Sequence, residues 1–460
     1  MKTTLLSAVL LCLACGGCAV EQERTAGAPR KVILLIGDGM DDHQITIARD
    51  YLVGYDGRLT LDDMPTRSAV QVQTVAEEDP SVPEYVPDSA NTATSMASGI
   101  VTSAGRIATT AATDRDVVTI MELAAAAGFG TGIVTTSSIT DATPASFIAH
   151  VNQRLCEGPR GMVFVNERNP ALSSNCSADL KANGGKGSIA EQIAASPLDI
   201  VLGGGTQYFD QVAEGEATRT VRDLAAANGF RVIGTAAELT GLPRGSQVLG
   251  LFSRGTMPVQ WRGVGGAEAA LVAHVDGRVQ LPEPFGCEPN PEFGGTPTLA
   301  AMTTAALEHL DDGRSFMLMI ESASIDKQSH LRRPCGQIGE LAQLDATLAL
   351  LLDYQRQHPE TLVLVTADHS QAAQLIPERS VLAGAASPGR FARVRTLEGA
   401  IMGVNYATND STQQEDHSGA EVPLLASGPG VDDLPALIPQ RRIFTILAEH
   451  LGLTPPRQPE

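Results

Sequence analysis

Five apolar runs punctuate the chain: 32–36, 132–135, 200–202, 316–320 and 362–365. Within them apolar residues follow one another without regular polar alternation. Each therefore suits a strand covered on both faces, as in a parallel sheet. Between the runs, at about 117–127, 299–310, 337–356 and 442–451, apolar residues return at helical spacing. The alternation predicts an α/β fold, a three-layer sandwich whose mostly parallel central sheet is flanked by helices. Residues 206–298 interrupt the pattern. They are rich in Gly and Pro, hold the single tryptophan, Trp261, and carry no chemical motif, so they read as an insertion covering or flanking a site. No internal repeat is present. One main domain is expected over 31–453, followed by a disordered Pro-rich tail at 454–460.

Chemistry concentrates where these runs end. Asp38 follows the first in Gly37-Asp38-Gly39. Asp141 and Thr143 follow the second, with Arg154 a little further on. Glu321 follows the fourth, ahead of Asp326, Lys327 and His330, and Asp368-His369 follow the fifth. Open α/β sheets bind ligands beyond the carboxyl ends of their strands. A single loop carboxylate is ordinarily a solvated residue, but that reading is a poor account of four runs that each end in one. Asp326 and His330, four apart, share a helix face, as two ligands from one segment must. His417 stands in a loop, Asp416-His417-Ser418-Gly419, where a histidine alone is more often a surface residue. Ser89 follows Asp88 at a polar helix start. It is either a cap or a nucleophile, and with no G-x-S-x-G elbow in the chain, activation by a metal suits it better than a Ser-His-Asp relay. Gly37-Asp38-Gly39 lacks the third glycine of a dinucleotide fingerprint, and Gly184-Gly185-Lys186-Gly187-Ser188 lacks the hydroxyl residue directly after lysine that a Walker loop needs.

The net charge of −20 excludes nucleic acid as a partner, since most of this surface would repel its phosphates. A small phosphate substrate is compatible, because divalent ions in one cleft invert the local potential. The first residues read as an export leader: Lys2, an apolar stretch from Leu5 to Leu13, then small residues and cysteines. Residues 1–18 resemble a lipoprotein signal with Cys15 or Cys18 as the lipidation candidate, although neither has the usual leucine three residues earlier. Cleavage to a soluble periplasmic protein is the plainer alternative. Residues 19–30 read as a polar tether. Four of the seven cysteines remain in the exported chain, Cys156, Cys176, Cys287 and Cys335. They allow two disulfides in three connectivities, and proximity favours Cys156 with Cys176 and Cys287 with Cys335.

Longer stretches now carry a resemblance. Val32 to Met40 (VILLIGDGM), Tyr85 to Thr94 (YVPDSANTAT), Ala323 to Gln328 (ASIDKQ), Pro334 to Glu340 (PCGQIGE) and Thr366 to His369 (TADH) resemble bacterial alkaline phosphatases of the Escherichia coli type, over about residues 31 to 453. The resemblance implies hydrolysis of small phosphate monoesters to inorganic phosphate through a phosphoserine on Ser89, with two Zn²⁺ and one Mg²⁺ per chain and a homodimer as one option for assembly. It implies Asp326, His330 and His417 for one zinc, and Asp38, Asp368 and His369 for the other. It implies Asp38, Thr143 and Glu321 for magnesium, with Asp141 reaching that ion through water. Arg154 is implied as the phosphate clamp, oriented by Asp88 and assisted by Lys327. The four cysteines match the family's two disulfides. The chain departs from the family at Gln371, where a histidine is expected two residues after His369. The rivals are a phosphodiesterase or a sulfatase on the same metal core, and an inactive phosphate-binding lipoprotein. A sulfatase needs a C/S-x-P-x-R motif that is missing at Ser89, a diesterase would lack the Arg154 and Glu321 pair, and an inactive protein would have lost a ligand or the serine.

Overall fold

The computed structural model describes residues 29–276, 278–378 and 389–458. The leader, both lipidation candidates and nearly all of the tether lie outside the described residues. Ten strands build one sheet: β1 (Lys31–Gly37), β2 (Thr66–Gln71), β3 (Gly130–Ser138), β4 (Ile200–Gly204), β5 (Phe230–Ile233), β6 (Gln247–Leu251), β7 (Phe316–Ser322), β8 (Thr361–Thr366), β9 (Val422–Ser427) and β10 (Leu437–Pro439). Their spatial order is β10-β2-β9-β8-β1-β7-β3-β4-β6-β5. β9 runs antiparallel to both its neighbours, and every other pairing is parallel.

The five apolar runs become β1, β3, β4, β7 and β8, five consecutive strands at the centre of the sheet, buried along their whole length. Burial on both faces is what removes polar alternation from their sequences. The strands without such a signal have physical reasons for lacking it. β2, β5 and β10 lie toward the edges with solvent on some positions. β9 is buried but carries Pro423, which demotes a strand reading.

Helices cover both faces. On one side α1 (Asp42–Leu52), α5 (Leu299–Leu310) and α7 (Pro334–Gln357) pack together. On the other α2 (Ser89–Ser98), α3 (Ile120–Ala126) and α8 (Arg442–Leu451) do so, and a short α4 (Val221–Ala227) packs against β5. α7 opens with Pro334 in its first turn, where no backbone donor is needed. α3 begins later than the periodicity implies, because Thr119 leaves the helix to cap it, its backbone N–H bonding Glu122 Oε2 at 2.8 Å.

Two expectations are corrected. Residues 206–298 are not wholly an insertion, since β5 and β6 extend the central sheet; after residue 251 the strands leave that sheet, Trp261–Gly263 pairing with Cys287–Pro289. The tail is not free throughout either. Gln458 accepts from the Val118 N–H at 3.1 Å and donates to the Val118 carbonyl at 2.9 Å. Both disulfides form in the pairing that proximity favours, Cys156–Cys176 and Cys287–Cys335.

Candidate active site

The site gathers at the carboxyl ends of β8, β1, β7 and β3, four neighbouring strands. In this register Ile36 of β1 stands opposite both Glu321 of β7 and Thr366 of β8, and Glu321 stands opposite Thr135 of β3. Asp38 lies just past β1, Asp368 just past β8, and Glu321 is the last residue but one of β7. Strands about 4.8 Å apart bring such residues into one cleft without long-range accident. Gly39 shows how tight the assembly is. It holds a left-handed φ of +67°, and a Cβ there would lie 2.9 Å from Asp326 Cβ. Its N–H instead donates to Asp368 Oδ1 at 3.0 Å. α6 (Ser324–His330), directly after β7, carries Asp326, Lys327 and His330.

Three imidazoles point into the cleft with their tautomers set by backbone carbonyls. His330 Nδ1 donates to the Glu415 carbonyl, His417 Nδ1 to Pro87 at 2.8 Å and His369 Nδ1 to Ser370 at 3.1 Å. Each Nε2 then presents a lone pair. Two of these, on His330 and His417, lie 3.0 Å apart, and Asp326 Oδ1 is 3.3 Å and 3.6 Å from them. Lone pairs so placed repel unless a cation sits among them. Ligands at about 2.0–2.1 Å around a tetrahedral ion are separated by about 3.3–3.4 Å, which matches. A second group adjoins the first: His369 Nε2 is 3.3 Å from Asp368 Oδ2 and 3.7 Å from Asp38 Oδ1, and its ring stacks on His417 with centroids 3.7 Å apart. Asp38 Oδ1 and Asp368 Oδ2 are buried without a hydrogen-bond donor, a costly state for carboxylates unless a cation meets them. Burial, compounded by Asp368, Asp326 and Glu321, pushes the Asp38 carboxyl well above its ordinary range. Burial raises Asp368 to about 6 and lowers His369 and His417 to about 4, the neighbouring imidazoles adding to the fall of both histidines.

Ser89 opens α2, where Asp88 caps the helix in a box with Asn91. The capping reading and the nucleophile reading thus divide between neighbours: Asp88 caps, and the Ser89 hydroxyl is free to face His369 Nε2 at 3.0 Å. Arg154 is held from two sides, Nη1 at 3.2 Å from Asp88 Oδ2 and Nη2 at 3.0 Å from Asp141 Oδ1, leaving the rest of its fork for an anion. Lys327 Nζ meets Asp141 Oδ2 at 2.5 Å. With burial opposing them, Lys327 and Arg154 hold Asp141 well below the carboxylate range.

Both oxygens of Asp141 thus meet a cationic side chain. Thr143 Oγ1, by contrast, is buried without a partner. Glu321 receives Thr135 Oγ1, and Ser137 Oγ at 3.2 Å, on one oxygen and is pushed up to about 7 by burial. These two hydroxyls had no sequence signal beyond a polar end to an apolar run. Gln371, the departure from the family pattern, donates Nε2 to Asp326 Oδ1. It is buried and supports the Asp326 carboxylate rather than lying at the surface. Beside α6 a cavity of about 450 Å³ is lined by Lys327, Gln328, Met257, Arg262 and Arg333.

The alkaline phosphatase family model matches residues 29–410. A streptomycin-6-phosphate phosphatase of Streptomyces griseus is 39% identical over 97% of this chain and 96% of its own length. The alkaline phosphatase of Escherichia coli strain K12 is 37% identical over 92% of this chain and 86% of its own. Among solved structures, the alkaline phosphatase of the Antarctic bacterium TAB5 superposes with a TM-score of 0.65 at 23% identity, covering 93% of this chain and 99% of its own. That of Thermus thermophilus gives 0.65 at 20% identity, covering 94% and 93%. At such identities these two speak for the fold alone.

Proposed function

The chain belongs to the alkaline phosphatase family and is a hydrolase of phosphate monoesters, and from that premise we propose that it works through a phosphoserine on Ser89 beside two zinc ions and one magnesium ion. The observation carrying this is the convergence of three Nε2 lone pairs and two donorless buried carboxylate oxygens beside a serine hydroxyl. Asp326, His330 and His417 would hold one zinc, and Asp38, Asp368 and His369 the other. The mixed nitrogen and oxygen donors suit that ion. Asp38, Thr143 and Glu321 would hold magnesium, an oxygen-only set, with Asp141 reaching it through water. When bound, the ions would lower the pKa of a hydroxyl or water and neutralise phosphate oxygens.

The chain's own groups supply the rest. Ser89 Oγ gives its proton to solvent and attacks phosphorus as the bond from phosphorus to the ester oxygen breaks, the alcohol leaving opposite with a proton from water. The Arg154 fork spans two phosphate oxygens, with Asp88 and Asp141 keeping its plane fixed. Lys327 adds positive charge from the other face of Asp141. Attack on the phosphoserine by water would then regenerate the hydroxyl, and two in-line inversions leave the configuration at phosphorus retained. Acid quenching with labelled phosphate at low pH should trap label on the peptide containing Ser89, and Ser89→Ala should abolish it. Net inversion with a chiral monoester would mean direct attack by water.

The two disulfides and the leader support export to the periplasm, with the mature chain either soluble or tethered by lipid on Cys15 or Cys18. Among the described residues no helix is long and apolar enough to cross a membrane. A homodimer is part of the same proposal. The Streptomyces griseus relative makes streptomycin 6-phosphate the natural second substrate to assay beside p-nitrophenyl phosphate.

A further inference from the structure

Arg332 and Glu415 form an ion pair that the chemistry above does not use. Their side chains are 5% and 1% exposed, and Arg332 Nε lies 2.7 Å from Glu415 Oε1. Arg332 Nη2 also donates to the Ser411 carbonyl at 2.7 Å. The other Glu415 oxygen accepts from the Thr408 N–H and Thr408 Oγ1, each at 2.9 Å, and from the Asn409 N–H at 3.4 Å. The pair therefore ties the start, middle and end of the 408–416 loop to the residues that close α6. Arg332 adopts a left-handed φ of +60° to do so, a conformation that a side chain of its kind holds only where its surroundings impose it.

The backbone of Glu415 carries the consequence. Its N–H donates to the His330 carbonyl at 3.0 Å, and its carbonyl accepts His330 Nδ1. Two residues on, the same loop delivers His417, whose Nε2 stands 3.0 Å from His330 Nε2. One buried charge pair thus governs the tautomer and aim of one imidazole and the position of another. The two partners are 83 residues apart in sequence, and each would be an unpaired buried charge without the other.

We propose that Arg332 and Glu415 are positioning residues for the Asp326, His330 and His417 metal centre, a clamp that fixes both histidines before the ion arrives. This rests on the reading of those three residues as ligands. Groups that orient ligands typically change metal affinity by about 10–100-fold when removed.

The test uses the metal-loaded protein and a chromogenic chelator. In Arg332→Met, and in the milder Glu415→Gln, one zinc equivalent should leave about 10–100-fold faster than in the parent, while the other ion leaves at the parental rate. Arg332→Lys, which keeps the charge and loses the fork, should fall between. The double variant Arg332→Met/Glu415→Leu should lose zinc no faster than Arg332→Met if the pair acts as one device. Asp326→Ala is the control for the underlying reading. If it retains all its zinc, the ligand assignment fails. If it loses one ion while Arg332→Met and Glu415→Gln release zinc at the parental rate, the assignment stands and the clamp is overturned. Equal acceleration of both ions would make the pair a general structural brace and would overturn it too.

Discussion

Replacing Arg154 with alanine should raise KM for monoesters and the inhibition constant of inorganic phosphate together. The guanidinium is already oriented by Asp88 at 3.2 Å and Asp141 at 3.0 Å, so its remaining N–H groups need no reorganisation to meet a dianion. Hydrogen bonds to charged groups contribute about 1.5–3 kcal/mol each. Two of them would set a ceiling of about 3–6 kcal/mol. Removing the cation also frees Asp88 for water, although Lys327 still holds Asp141 at 2.5 Å, and that relief offsets part of the loss. A net of about 3 kcal/mol corresponds to about 10²-fold in kcat/KM. Arg154→Lys keeps charge without the planar fork and should recover about a tenfold share. The assay is steady-state hydrolysis of p-nitrophenyl phosphate beside bis-p-nitrophenyl phosphate, with phosphate as inhibitor. A diester offers the fork one negative charge and should lose less than about tenfold. An equal loss for both esters, or an unchanged phosphate inhibition constant, would refute the clamp.

Chelation should abolish turnover and lower the melting temperature, Zn²⁺ with Mg²⁺ should restore both, and undiminished activity in protein shown to be metal-free by elemental analysis would overturn the mechanism. Burial pushes Glu340 up to about 7, against a usual 4.5, despite the bonds from Gln343, Thr136 and Ser322. The folded protein then holds a proton that the unfolded chain has lost, so stability is full below about pH 4.5 and falls by about 3 kcal/mol as pH rises through 7; Glu340→Gln should therefore raise the melting temperature at pH 8 and leave it nearly unchanged at pH 5, and a shift of equal size at both would refute the linkage. The Cys156–Cys176 bridge closes a loop of 20 residues, so the double serine variant should lose about 3 kcal/mol in urea unfolding. Because Cys156 is two residues from Arg154, KM should rise while kcat holds, and a kcat defect alone would count against this.

What was legible in the sequence follows from burial. β8, β1, β7, β3 and β4 have no solvent face, so their apolar runs are continuous, and the carboxylates that end four of them stand out against that background. The edge strand Phe230–Ile233 shares its positions with water and leaves only a broken pattern, and Gln247–Leu251, though buried, is short and lies in a Gly- and Pro-rich stretch, which is why this region reads as an insertion. The histidines of the cleft divide in the same way. His330 is visible through its spacing from Asp326, whereas His417 sits in a polar loop and owes its aim to the Pro87 carbonyl, a backbone group no sequence pattern announces. Gln371 could be seen to differ from the family, but its bond to Asp326 appears only in three dimensions. Arg332 and Glu415 resemble two ordinary surface charges until the loop closes on α6.

The charges of the cleft explain why so acidic a protein can take a phosphate dianion. Arg154 and Lys327 bring two positive charges, and Asp88 and Asp141 stand against them at contact distance. That group is close to neutral, so its strength lies in oriented donors rather than in net attraction. The adjoining group is negative: Asp38, Asp368, Asp326 and Glu321 are buried together, and burial keeps His369 and His417 uncharged near neutral pH. On these terms no arrangement of the side chains alone makes the cleft attractive to a dianion. The same neutral imidazoles and donorless carboxylate oxygens are, however, what divalent cations need, and each ion bound there would add two positive charges beside Ser89. On the proposed metal centre, cation binding and phosphate binding would be one linked event, with the acids assembling the ions and the ions reversing the field that the acids create.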